Sequence, residues 1–395
     1  MGKRRLVIFI SALLLTASLP LFADDREIEE LMRRDDYIDA SLLVVSPGAE
    51  IYSAGGHVAL RLSCPMQDVD YTYEFDAAIN AGESLVPKYL NGTLQGAFRR
   101  LYTTDFMANA SREGRTVNEL PLNMTPAQEV RLWAGADDAV DSGAVYPFTP
   151  TRSNCCSMIS LLIENAVGGG IFTAPSVRLS GSGRQFIEDF FSGSPWVGLL
   201  WDVLLGSDFD RDSTPLNLLY PKAFGRYLAG VTNPADGRPL SRGGAATDGF
   251  DVPHTPFTPT VLFGIMLLLS VFFVVTDYKK RLLRLSRIYD GILLTVTTAA
   301  GCVLWYMGIA SLANGAFEFN FLALLCTPLP LLLLFVRKRA LRVGYAIVMA
   351  VIAALMLAGI CFVPQLRYFG LWMFVAAVLV RLISYLHTNY LKQYI

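Results

Sequence analysis

Ser153-Asn154-Cys155-Cys156-Ser157-Met158 has the form of a helix start, with a Ser or Asn able to cap the turn that follows. Apolar residues then recur at Met158, Ile159, Leu162 and Ala166, and the spacing predicts a helix over 153–167. Cys155 falls in the first turn, where the helix dipole favours a negative charge and so lowers a thiol pKa. At about 100° per residue, Cys155 shares the stripe of Met158, Ile159, Leu162 and Ala166, read here as the inward face. Cys156 is then turned toward Ser160 and Glu164, which makes Cys155 the better candidate nucleophile.

A thiol nucleophile needs a base. Of the three histidines, His387 ends the last apolar run and His254 lies in a Pro- and Gly-rich stretch, so only His57 falls within a folded soluble region. It opens a strand after Gly55-Gly56, with His57, Ala59 and Arg61 on one face and Val58, Leu60 and Leu62 on the other. The next strand alternates Asp70, Thr72, Glu74 and Asp76 against Tyr71, Tyr73 and Phe75. A hairpin around Ser63–Asp68 with Leu62 opposite Val69 sets His57 opposite Glu74, and a two-residue change of register substitutes Thr72 or Asp76. A carboxylate there would fix the imidazole tautomer, with Glu74 the first choice and Asp76 the second. The plainer alternative is a glycine turn with a satisfied histidine, a Cys-Cys pair in the core, and Cys64 bridged to Cys155 or Cys156 in an oxidising compartment.

Around these residues the chain is mixed α and β. Ser41–Ser46, His57–Leu62 and Val69–Asp76 read as strands. Helices are expected over Glu27–Tyr37, Thr125–Asp141, Arg184–Phe191, Trp196–Leu205 and Leu216–Leu228, the second opening on Thr-Pro-Ala-Gln, a capping box with proline at the first position. Asp208, Asp210 and Asp212 begin like a calcium loop, but Ser213 stands where a glycine is needed and Leu219 where the closing acid belongs. Gly181-Ser182-Gly183 reads as a helix-entry turn.

Both ends of the chain point to a membrane. Lys3, Arg4 and Arg5 precede the apolar run Leu6–Leu15, and Ser18–Ala23 ends on a small residue, the pattern of a cleaved signal peptide over 1–23, with an uncleaved anchor as the alternative. Residues 24–229 then form an exported domain, 230–258 a linker and 259–395 an all-α bundle. Spans are expected at Thr260–Val275, Ile288–Leu312, Phe317–Val336, Val343–Val363 and Tyr368–Leu386, about five helices. Lys279–Arg287 and Arg337–Arg342 hold the basic loops and are assigned to the cytoplasm, which leaves the segment before the first span outside. Arg381 is placed near the cytoplasmic end, where it would snorkel; Cys302, Cys326 and Cys361 are read as small buried residues, and Pro328 and Pro330 as a kink. The chain is 53% hydrophobic with a net charge of −1, which argues against a nucleic-acid partner.

Gly56-His57-Val58-Ala59-Leu60-Arg61, then Tyr73-Glu74-Phe75-Asp76, then Asn154-Cys155 opening a helix resemble the exported domain of Lnb-type proteins, lipoprotein N-acyltransferases of Gram-negative bacteria. The segment Gly206–Pro221, with Asp208 and Leu218-Leu219-Tyr220-Pro221, also looks like a later part of that family, so the likeness covers about Leu42–Leu228. The family usually follows Asn-Cys with Ala or Ser and then Thr; here Cys156 and Ser157 stand in those places. The resemblance implies a permuted NlpC-like, papain-like α+β fold with the histidine strand before the cysteine helix. It implies His57 as base, Cys155 as nucleophile and acyl transfer through a thioester. The donor would be a phospholipid and the acceptor a diacylated lipoprotein at the inner membrane, with no metal or diffusible cofactor required. The rival functions are a membrane-anchored cysteine peptidase or amidase acting on cell-wall peptide, and a non-enzymatic envelope assembly protein.

Overall fold

Three strands between Asp39 and Asp76, with runs of consecutive buried residues because both sheet faces are covered, build the centre of an antiparallel sheet. The computed structural model describes residues 38–48, 50, 52–77, 85–149, 153–172, 181–191, 193–211, 220–241, 256–309, 319–333, 335 and 338–389. The expected signal peptide and the helix over Glu27–Tyr37 lie outside them. The elements run β1 (Asp39–Val45), β2 (His57–Cys64), β3 (Val69–Asp76), α1 (Leu85–Leu90), β4 (Gln95–Tyr102), α2 (Thr103–Arg112), β5 (Val117–Pro121), α3 (Pro126–Asp141), β6 (Val145–Pro147) and α4 (Cys155–Val167). There follow α5 (Gly183–Phe190), α6 (Pro195–Leu204) and α7 (Pro221–Gly230). The strand order is β5-β1-β2-β3-β4-β6.

Both faces of the sheet are covered. Val58, Leu60, Leu62, Tyr73 and Phe75 pack with Cys156, Ile159 and Ile163 of α4 and with Leu132 of α3 in the main core. On the opposite face Leu43, Val45 and Ala59 pack against Phe106 and Ala110 of α2. The hairpin register differs from the expected one by two residues: Cys64 pairs with Val69 and Ala59 with Glu74. The cause is the turn. Pro65–Gln67 is a single 3-10 turn closed by Asp68, whose N–H donates to the Pro65 carbonyl from a left-handed backbone, so Ser63 and Cys64 stay in the ladder. A two-residue shift preserves the faces, and Glu74 remains on the His57 side.

Helix α3 begins with the capping box of Thr125 and Gln128. Gln128 also reaches a segment whose Gly and Pro content had suggested a linker. Its side-chain amide exchanges hydrogen bonds with that of Asn233, Nε2 to Oδ1 at 2.9 Å and Nδ2 to Oε1 at 2.6 Å. Leu122 bridges to Ser241, and Asn233 and Leu240 are fully buried. Residues 231–241 are therefore part of the folded domain.

The membrane-facing half comprises α8 (Pro259–Tyr278), α9 (Leu283–Ile309), α10 (Leu322–Leu325), α11 (Leu329–Leu333), α12 (Arg339–Ala358) and α13 (Leu371–Asn389). Among the described residues, α8, α9, α12 and α13 are long and apolar enough to cross a bilayer. Within the span expected over Phe317–Val336, the described residues form the short pair α10 and α11, interrupted at the kink expected from Pro328 and Pro330. The break lies against α9: a Cβ on Gly301 would come within 2.6 Å of the Thr327 backbone. Arg381 does not snorkel. It is buried and paired with Asp277 of α8, at 2.9 Å, and Asp290 of α9, at 2.6 Å. Of the cysteines read as buried, Cys326 is so, Cys302 is half-buried and Cys361 is exposed.

A buried polar joint links the halves. Arg184 of α5, 1% exposed, pairs with Asp202 of α6 at 2.9 Å and with Asp210, and donates to the carbonyls of Leu205 and Gly206. Asp210, first read within a possible calcium loop, is thus held by an arginine. From the bundle, Gln365 donates to the Asp202 carbonyl at 2.7 Å and Asn320 to that of Val203 at 2.6 Å. Replacing Asn233 by Ala removes both amide–amide bonds from buried Gln128, which keeps only the Thr125 N–H and the Val167 carbonyl, and should cost about 1–3 kcal/mol. The expected result is a lower melting temperature of the detergent-purified chain and faster proteolysis between 231 and 241; an unchanged melt would count against this docking.

Candidate active site

Asn154 is the N-cap of α4. Its Oδ1 accepts from the Ser157 N–H and the Ser157 hydroxyl accepts from the Asn154 N–H, each at 2.9 Å. Cys155 is therefore the first helical residue, at the open N–H end. Met158, Ile159, Leu162 and Ala166 are buried as expected, but the buried face is wider than that stripe: Cys156, expected to turn toward Ser160 and Glu164, is fully buried with Ile159 and Ile163, while Cys155 is half-buried at the edge of the core. Cys155 packs against that edge and meets the start of β2, where the Val58 N–H and the His57 ring both hydrogen-bond its sulfur. All six cysteines are free thiols, including Cys64.

His57 enters β2 directly after Gly56, whose φ of 69° is a left-handed value suited to glycine. Its Nε2 is 2.8 Å from Glu74 Oε2, with the two side chains 18% and 5% exposed. With Nε2 so engaged, Nδ1 is the ring nitrogen left for the sulfur. The register sets Glu74 opposite Ala59, so His57 reaches it diagonally. The other carboxylate oxygen of Glu74 accepts from Arg99 Nε, and Arg99 Nη2 is 3.2 Å from Asp76 Oδ2. Asp76, the second choice for the imidazole, thus holds the arginine instead. Arg99 was not anticipated, since β4 went unread; a basic residue opposite Glu74 on a neighbouring strand was the signal to seek.

The electrostatics follow from these contacts. The hydrogen bond from the Cys156 thiol is the largest influence on Cys155 and pulls it down. Burial opposes this, but the charge and hydrogen bond of His57 and the Val58 N–H add to it, so Cys155 ends well below the usual thiol range. Burial resists protonation of His57, yet the Cys155 charge and hydrogen bond, then Glu74, outweigh it and push His57 up to about 10. Glu74 is pushed toward neutrality by burial, but His57 and then Arg99 hold it below the ordinary carboxylate range. Cys156, by contrast, is driven up by burial and by the neighbouring sulfur. The favoured state is a Cys155 thiolate beside a His57 imidazolium. Such a group can attack an electrophilic carbonyl, with N–H groups at the start of α4 available to a developing oxyanion. Among the described residues, no three His, Cys, Asp or Glu side chains gather as a metal-binding group.

An α+β domain carrying a half-buried thiol beside an imidazole, set on a bundle of apolar helices, defines a membrane-anchored protein with a thiol-centred site in its soluble part. Residues 34–180 match the family model of the Lnb N-terminal periplasmic domain, and residues 251–393 match that of the Lnb transmembrane domain. The chain belongs to the Lnb-type family, as a multi-pass membrane protein with a periplasmic part. Searches of curated proteins and of solved structures gave no match.

The charge pattern has a direct readout. Thiolate is lost as pH falls through the lowered Cys155 value, and the imidazolium proton is lost as pH rises through about 10. Iodoacetamide should therefore label Cys155 rapidly already at about pH 7, followed by peptide mass spectrometry, whereas an ordinary thiol needs about pH 8.5. His57→Ala should move the labelling midpoint up toward that ordinary value; identical profiles in the two proteins would contradict the pairing.

Proposed function

We propose that the chain is a lipoprotein N-acyltransferase of the inner membrane, working through a Cys155 thioester. The supporting observation is the hydrogen-bonded series Cys155, His57 and Glu74 in a family-matched periplasmic domain joined to a membrane bundle. In the first half-reaction the Cys155 thiolate attacks an acyl ester carbonyl of a phospholipid. His57 gives its proton to the departing glycerol oxygen, leaving a lysophospholipid and an acyl-thioester. In the second, the α-amine of a lipoprotein's lipidated N-terminal cysteine attacks the thioester. His57 takes the amine proton, the carbon–sulfur bond breaks, and the amide leaves with the thiolate restored. Glu74 holds the ring in place through both half-reactions and stabilises the imidazolium.

Both substrates are amphiphiles, and the join between the periplasmic domain and the bundle suits them. Helix α6 presents Trp196 and Leu200, 39% and 43% exposed, and Trp196 stacks on Phe257 just before α8. Gly198 packs so closely on Phe369 that a Cβ would come within 2.4 Å of its ring. Aromatic side chains at the head of a span mark the headgroup level, so the domain is held beside the lipid that supplies the acyl chain. Confinement to that surface replaces a search through bulk water.

The test is mass spectrometry of a reporter lipoprotein N-terminus from cells carrying each variant. Cys155→Ala should abolish the third acyl chain, and His57→Ala should lower transfer at least about 10²-fold, the usual scale for a general acid–base group. Glu74→Gln should fall between His57→Ala and wild type, because it keeps the hydrogen bond and loses the charge. Unchanged acylation with altered muropeptides in Cys155→Ala would replace this reading with a cell-wall amidase. Inactivity of Cys156→Ala with activity in Cys155→Ala would transfer the chemistry to the other sulfur.

A further inference from the structure

Far from Cys155, at the end of the bundle opposite the periplasmic domain, α9, α11, α12 and α13 line a half-open pocket of about 400 Å³. Most of its wall is apolar, including Leu293, Leu294, Val378 and Leu382. Its charged groups are confined to one end: Asp290 on α9, Arg342 on α12 and Arg381 on α13. That end is the non-periplasmic one, because Asp290 lies near the start of α9 and Arg342 near the start of α12, both just after basic loops, and Arg381 lies in the second half of α13. An apolar chamber capped by charges at one depth has the shape of an amphiphile.

The charges say which kind. Arg381 is 6% exposed, and its Nε and Nη2 are taken up by Asp277, Asp290 and Ser286. Its Nη1 is buried and has no hydrogen-bond partner among the described residues. An open donor on a buried guanidinium is costly in a bilayer unless something accepts from it. Asp290 beside it accepts from Arg381 through both oxygens yet remains 40% exposed, so its outer side can also meet a cation. At that end the exposed Arg342 offers a cation for an anionic oxygen, with the unsatisfied Nη1 of Arg381 beneath the wall, and Asp290 offers an acceptor for an ammonium.

We propose that this cavity is a second lipid site, taking from the cytoplasmic leaflet a glycerophospholipid whose head joins a phosphate to a primary ammonium. The phosphate lies toward Arg381 Nη1 and Arg342, the ammonium toward Asp290, and the first part of one acyl chain among Leu293, Leu294 and Val378. The lipid joins α9 to α12 and α13 on the side where α11 is short. Nothing in this site depends on Cys155, so it stands or falls separately from the acyl-transfer reading.

The experiment is native mass spectrometry of the delipidated full chain in detergent. It is offered phosphatidylethanolamine, phosphatidylglycerol, diacylglycerol or the water-soluble head glycerophosphoethanolamine, one at a time. One phosphatidylethanolamine should be retained, at least about tenfold better than any of the other three. Cys155→Ala should retain it equally, and the cavity-filling variants Ala346→Phe and Leu294→Trp should lose it. Equal retention of diacylglycerol or phosphatidylglycerol, equal binding of the free head, or full retention by both filled variants would overturn the proposal. Should the filled variants fail to fold, a phosphatidylethanolamine with a diazirine on its acyl chain gives the answer in the wild type. Crosslinks within 290–297 and 378–385 support the site, and crosslinks confined to other segments refute it.

Discussion

Glu74 is a carboxylate almost shut off from water and shared between two cationic side chains, and the polar part of the domain is organised by that fact. A lone buried carboxylate would take up a proton. Here one oxygen meets the His57 ring and the other Arg99, so the acid stays ionised and the ring cannot turn away. A fixed ring can hold a sulfur, and the sulfur is brought to it by a helix that begins at the end of the same sheet. The capped start of α4, the glycine turn before β2 and the Arg99–Asp76 pair all serve one distance, that between the sulfur and the imidazole.

The same economy governs the join to the membrane. Arg184 is buried with two carboxylates and three carbonyls, a combination costly to assemble and more costly to break by halves. Its value is positional. It gathers α5, α6 and the segment around Asp210, and Gln365 and Asn320 attach that group to the bundle through backbone carbonyls. Carbonyl contacts depend on main-chain path more than on side-chain identity, so the periplasmic domain is held at a defined angle to the spans.

Local signals made the chemistry legible in the sequence, and long-range ones concealed the rest. Asn154 and Ser157 announce a helix start within four residues, and His57 is conspicuous because the other two histidines fall at the end of the last apolar run and in a Pro- and Gly-rich stretch. Alternation put Glu74 on the correct face. The hairpin register escaped because it depends on a left-handed Asp68, a conformation that composition does not reveal. Pattern placed Met158, Ile159, Leu162 and Ala166 inward on α4, as they are, but not Cys156, because only packing on the sheet widens the buried face to include it. Segment 231–241 looked like a linker because what fixes it, the amide pair of Asn233 with Gln128, joins residues far apart in the chain. Arg381 looked like a snorkelling cation for the same reason, since Asp277 and Asp290 belong to other helices.

The charge state of one ring carries the account. Nitrogen-15 NMR of histidine-labelled full-length chain, with His57 assigned by its loss in His57→Ala, reads that state without any substrate. The account requires a doubly protonated His57 at about pH 8, well above the usual histidine range, titrating near 10, and a fall in that value when Cys155→Ala removes the neighbouring sulfur. A ring already neutral at about pH 8 in the wild type, or one indifferent to the loss of Cys155, would contradict it.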